Sequence, residues 1–126
     1  MTAIFAIDPG PVNCGIVVAR DGKIIEKFVM PGHRAAMFVY GGIVDGKNCV
    51  VVIEDVTPRR FAHWSYWSTT LKIAKVIGMI AMAAELRGAT VVLQNPSVVQ
   101  KLKKGGRKSD EHIRDAKAHL DYYLSH

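Results

Sequence analysis

The sequence predicts an α/β domain built on a mixed five-stranded sheet, and three observations carry that prediction. Two unbroken apolar runs, Ile4 to Ile7 and Cys49 to Ile53, each end in acid: Asp8 in the first, Glu54-Asp55 in the second. Continuous apolar runs of this length suit strands covered on both faces, and therefore parallel neighbours in a sheet flanked by helices. Between two further strand-like runs stands Asp21-Gly22, a hairpin signal that makes the strands on either side antiparallel. Two stretches of helical periodicity, at 69–87 and 109–124, supply the cover.

In order, Ile4 to Asp8 is the first strand, turned sharply by Pro9-Gly10. Asn13 to Arg20 is the second and Lys23 to Met30 the third, so three consecutive strands run antiparallel. Pro31-Gly32 breaks the pattern. Arg34 to Val44 reads as a short helix weakened by Gly41-Gly42. Asn48 to Val56 is the fourth strand; if it runs parallel to the first, Asp8 and Glu54 emerge at one edge, where open α/β sheets place their sites.

Thr57 to Ser68 is dense in arginine and aromatics, and Ser68 and Thr69 can cap a helix that Gly88 ends. Ile73, Ile77, Ile80, Ala81 and Ala84 form its sheet-facing stripe. Lys72, Lys75, Met79, Met82 and Leu86 lie opposite, and a second apolar stripe calls either for a subunit contact or for cover from the 34–44 segment. Ala89 to Leu93 is the fifth strand. Pro96-Ser97 opens a short helix through about Lys103, followed by the basic loop Lys104-Gly105-Gly106-Arg107-Lys108. Ser109 is a good N-cap for the last helix, whose Ile113, Ala116, Leu120 and Leu124 form the core stripe.

A chain of 126 residues is one domain, spanning 1–126, long enough to bury roughly two-thirds of its unfolded surface. Hydrophobic content of 49% with 22% charged residues excludes a largely disordered chain. A net charge of +6 and a pI near 9.5 favour a polyanionic partner. Cys14 and Cys49 lie in strand-like runs and do not suggest a disulfide framework. No secretory leader pattern opens the chain, and Lys72, Lys75, Gly78 and Glu85 interrupt its most apolar helix. An intracellular protein with no membrane contact is expected.

An acid at the end of a buried strand is costly unless something pairs with it. Read alone, Asp8 serves equally well as a cap of its own turn. Glu54 repeats the design, and the last helix adds a third carboxylate, since His112, Asp115 and His119 share a stripe that Glu111 extends. Asp110 falls on the far side of that helix, and His119 reads as a group behind the ligands or on the surface. Clustered carboxylates repel one another unless divalent cations neutralise them. Hard oxygen donors select Mg²⁺, with Mn²⁺ able to substitute, and two ions about 3.5–4 Å apart suit in-line attack on a phosphodiester. Asp8, Glu54, His112 and Asp115 are therefore the candidate catalytic and metal-ligating residues. The cations Lys101, Lys103, Lys104, Arg107 and Lys108 fall within eight residues and, with Arg59, Arg60 and Phe61, are the candidate nucleic-acid contacts.

Taken in order, Ile7-Asp8-Pro9-Gly10 with Gly15 downstream, Ile53-Glu54-Asp55-Val56, Pro96-Ser97-Val98-Val99 leading into Gly105-Gly106-Arg107-Lys108, and His112-Ile113-Arg114-Asp115-Ala116 resemble segments of the RuvC-type Holliday junction resolvases. The resemblance runs the length of the chain. It implies a ribonuclease H-like fold, a five-stranded mixed sheet with its first three strands antiparallel, flanked by helices. It also implies a homodimeric, Mg²⁺-dependent endonuclease of the bacterial cytoplasm that nicks two opposed strands of a four-way DNA junction. The trimmed connections are similar to those of phage-encoded relatives. Where members carry an aromatic three residues after the strand-end Glu, this chain has Thr57; the role is absent or has moved to Phe61, Trp64 or Trp67, which equally suit a core cluster.

Other readings remain open on the residues. A ribonuclease H-like nuclease acting on other branched or RNA-containing nucleic acid needs the same acids. A catalytically silent DNA-binding module would keep the basic loop without them. A nucleotide-clamping fold would duplicate the domain, and this chain has room for one copy, so no nucleotide cofactor is expected.

Overall fold

The computed structural model describes residues 2–56, 64–98 and 111–126. Its strands are β1 (Ala3–Asp8), β2 (Asn13–Arg20), β3 (Lys23–Pro31), β4 (Cys49–Glu54) and β5 (Thr90–Gln94), in the spatial order β3-β2-β1-β4-β5. The first three are antiparallel neighbours, while β1 with β4 and β4 with β5 are parallel. This is the mixed sheet the sequence predicted. At the β2–β3 hairpin, Asp21 (φ 51°) and Gly22 (φ 79°) both adopt positive φ, the requirement of a two-residue type I′ turn.

Among the described residues three helices flank the sheet: α1 (Gly32–Gly42), α2 (Trp64–Leu86) and α3 (Glu111–Ser125). Strand alternation divides the core in two. Phe5, Ile7, Ile16, Val18, Val51 and Ile53 point to one face, where they meet Ala35, Val39, Ile77, Ile80 and Ala84 of α1 and α2. Ile4, Ala6, Val17, Ala19 and Val52 point to the other, beneath Ala116 and Leu120 of α3. Continuing that alternation by one step places Asp8 and Glu54 on the α3 face.

Several boundaries differ from expectation. The helix expected over 34–44 runs instead over Gly32–Gly42, with Ala35 and Val39 buried on one stripe, Gly41-Gly42 in its last turn and Ile43 as an extended C-cap. Helix α2 already includes Trp64, so Ser68 and Thr69 lie inside it rather than capping it. Helix α1 does not cover the second stripe of α2: Leu71, Met79, Met82 and Leu86 remain exposed. Strand β5 extends to Gln94, and Pro96–Val98 form a 3₁₀ turn, while the rest of the helix expected through about Lys103 lies outside the described residues. Leu124, expected in the core, is exposed; Tyr123 takes its place against the sheet. Cys14 and Cys49 are free and buried. Among the described residues, no helix is long and apolar enough to cross a membrane.

Candidate active site

Asp8 and Glu54 come together through register. Ile7 pairs with Ile53 across the parallel β1–β4 ladder, so the residues that follow both leave the sheet at its C-terminal edge. Each continues the alternation that faces α3. Asp55, the other acid of that pair, is spent on the chain: its carboxylate accepts from the Val56 N–H at 2.8 Å, while its own N–H donates to the Gln94 carbonyl at 2.7 Å.

The third element arrives because β2 carries a glycine where α3 crosses it. A Cβ on Gly15 would collide with the His112 carbonyl oxygen, and one on Gly10 would lie 3.0 Å from the His112 ring. No other residue permits that approach without moving the helix. Gly15 is also the pairing partner of Asp8, so the strand position that admits the helix lies beside the carboxylate that receives it. His112 Nδ1–H then donates to Asp8 Oδ2 at 2.8 Å.

Asp8 is only 4% exposed. Burial pushes its carboxyl up from the ordinary value to about 7; a side-chain hydrogen bond with Glu54 and the charges of Glu54 and Asp115 push the same way, and the bond from His112 opposes them. The His112 imidazole is itself raised, chiefly by that bond to Asp8. The structure thus brings Asp8, Glu54, Asp115 and His112 into one interacting group. Arg59, Arg60, Phe61, Lys101, Lys103, Lys104, Arg107 and Lys108 lie outside the described residues, as do Thr57 and Ser109.

Sequence reasoning placed His119 behind the ligands or on the surface, and the structure shows it off the surface, buried behind Glu54. Its ring is fully buried, with Nδ1 2.8 Å from Gln94 Oε1 and Nε2 3.0 Å from Glu54 Oε1. Gln94 was missed altogether. Its signal was available: the apolar run Val91 to Leu93 ends in a polar residue, as β1 and β4 do, and Gln94 is the register partner of Glu54.

Among the described residues, no three His, Cys, Asp or Glu side chains form a ready-made metal cage. Here the two imidazoles engage the carboxylates instead. In chemistry the donor set still fits a hard divalent cation. Asp8 lies against the His112 imidazole and in the field of Glu54 and Asp115, and burial above all, with those neighbouring acids, holds its carboxyl protonated up to about neutral pH.

No family model matches the chain, and no curated protein matches it in sequence. Solved structures do. A structure of Thermus thermophilus RuvC in complex with a Holliday junction substrate is similar with a TM-score of 0.72 at 19% identity, over 99% of this chain and 96% of that one. Another Thermus thermophilus RuvC structure gives a TM-score of 0.67 at 20% identity, over 98% and 96%. The ribonuclease H-like fold of RuvC is therefore the fold of this chain.

Proposed function

We propose that the protein is a divalent-metal-dependent endonuclease that resolves four-way DNA junctions by paired symmetric nicks. The observation that carries the reading is Asp8, a buried carboxylate bonded to His112, in hydrogen-bond contact with Glu54 and within the field of Asp115. On a fold shared with a RuvC that was solved with a Holliday junction, that grouping stands at the sheet edge where α/β folds place their chemistry.

Asp8, Glu54, His112 and Asp115 would hold Mg²⁺, two ions per site with Mn²⁺ as substitute; when bound, these ions supply water activation and charge stabilisation at the leaving 3′-oxygen. The chain's own part is to keep the carboxylates gathered and to control their protons. Burial makes Asp8 the most strongly favoured to exchange a proton for a cation. His112, with 38% of its side chain exposed, holds a proton at Nδ1 toward Asp8 and can pass it to solvent as that exchange occurs. The positive charge of the chain, including the 101–108 segment, would attract the DNA backbone and make affinity fall with salt.

A homodimer accords with the approximate two-fold symmetry of a four-way junction. The α2 stripe of Leu71, Met79, Met82 and Leu86, exposed among the described residues, supports this reading as an apolar surface.

The test is a gel assay in Mg²⁺ with synthetic four-way junctions, linear duplex and an RNA–DNA hybrid. Paired nicks at symmetric positions on the junction alone are expected. Cleavage of the hybrid with the junction left intact would assign the site to RNA-containing substrates and overturn the reading.

A further inference from the structure

The imidazole of His119 joins three elements at one point. It projects from α3, one turn beyond Asp115, and its two nitrogens bond the residues that end β4 and β5. Glu54 and Gln94 are register partners on adjacent parallel strands, so their side chains leave the sheet side by side on the α3 face. The ring is 0% exposed and Gln94 is 7% exposed, while the Glu54 carboxylate reaches the rim of the site. A fully buried imidazole keeps its place only where its nitrogens are satisfied, and here both are. The partner on one side is an uncharged amide, itself buried, whose position follows from the β5 backbone and which can turn its oxygen or its nitrogen to Nδ1, leaving Nε2–H to donate to Glu54. The group on the other side is a carboxylate of the proposed site.

We propose that His119 and Gln94 are positioning residues. The Gln94 amide fixes the His119 ring, and the ring's Nε2 fixes the Glu54 carboxylate in the orientation that faces Asp8. This inference rests on the metal-nuclease reading above and adds to it. Groups that orient a metal-binding side chain typically govern metal affinity by about 10–100-fold. Gln94-His119-Glu54 is such a chain, running inward from the site to the sheet.

The two nitrogens can be tested separately, because the asparagine amide mimics Nδ1 and the glutamine amide mimics Nε2. His119→Gln keeps a partner for Glu54 and gives up Gln94. His119→Asn keeps the bond to Gln94 and gives up Glu54. Mn²⁺ affinity is read by calorimetry on the full chain, with thermal melting of the metal-free protein recorded in parallel. The expected result is Mn²⁺ affinity about 10–100-fold weaker in His119→Asn and weakened by a clearly smaller factor in His119→Gln, which keeps the contact with Glu54 but loses its anchor on Gln94. A purely structural role predicts that the two variants shift together, or that melting falls while affinity holds; either outcome overturns the proposal. Should a His119 variant give no cooperative melt, Gln94→Asn, which withdraws the amide by one methylene, is read instead. Weakened Mn²⁺ affinity in that variant supports the proposal, and unchanged affinity overturns it. Asp8→Asn separates the two levels. If wild type and Asp8→Asn bind Mn²⁺ equally, the metal site itself is wrong and both readings fall. If only Asp8→Asn loses Mn²⁺ while the other variants match wild type, the positioning role alone fails.

Discussion

Two carboxylate–imidazole pairs stand at the same sheet edge, and they are built in opposite senses. In Asp8–His112 the acid is buried and the ring half-exposed, with side-chain exposures of 6% and 38% at 2.8 Å. In Glu54–His119 the ring is sealed and the acid reaches outward, at 0% and 14% and 3.0 Å. The element that water cannot reach is the one that must keep a partner. In the first pair that element is a carboxylate, whose desolvation is relieved either by a proton or by a cation. In the second it is an imidazole, which acts as a fixed strut. The difference teaches that similar contacts at similar distances can serve exchange in one case and architecture in the other.

Asp8→Asn is the sharpest way to break the first pair. Nicking of junctions should fall by at least about 10³-fold while junction binding in a gel-shift assay persists, because the proposed role of the acid is to gather cations, whereas affinity for the junction is expected from the basic segments. Loss of binding with nicking retained would reverse the assignment.

The same substitution shows the energetic asymmetry. Asp8 has its folded value raised from 3.8 to about 7, so the folded chain binds more protons than the unfolded one across that interval. Its contribution is fully present below pH 3.8 and is lost as pH rises through about 7; His112, also raised, adds loss in the same direction above 6.5. A shift of about three pH units corresponds to about 4 kcal/mol. Urea unfolding without metal should therefore show Asp8→Asn gaining on wild type between pH 4 and 8, with Mg²⁺ closing the gap at pH 8. A gap independent of pH would show that burial does not strain the acid.

Gly15→Ala tests how the ring reaches the acid. The new Cβ would meet the His112 carbonyl, and displacing α3 should cost about 1–3 kcal/mol in denaturant unfolding and weaken Mn²⁺ binding with it. Unchanged stability would mean that the helix can shift freely. The smallest effect is expected from the basic segment. Replacing Lys103, Lys104, Arg107 and Lys108 together with Ala should weaken junction binding about tenfold at moderate salt and flatten its salt dependence, with the metal site intact. Unchanged affinity would remove that segment from the footprint.

The sheet was largely legible because its signals are local. Asp21-Gly22 sets the hairpin, and unbroken apolar runs mark the covered parallel strands. Asp8 and Glu54 were legible for the same reason, as acids at strand ends. The pairing of each acid with its own histidine was not legible, because it depends on the rotation of α3 over the sheet, which Gly15 and His119 decide in three dimensions. Helix starts failed where propensity alone was used: Ser68 and Thr69 are good caps in isolation, yet α2 already runs through them from Trp64.

Anomalous scattering from crystals grown with Mn²⁺ tests the central claim most directly. The account predicts Mn²⁺ within bonding distance of Asp8 and shared with Glu54 or Asp115, with the His119–Glu54 contact preserved. Density showing Asp8 still bonded to His112, with every Mn²⁺ bound elsewhere, would contradict it.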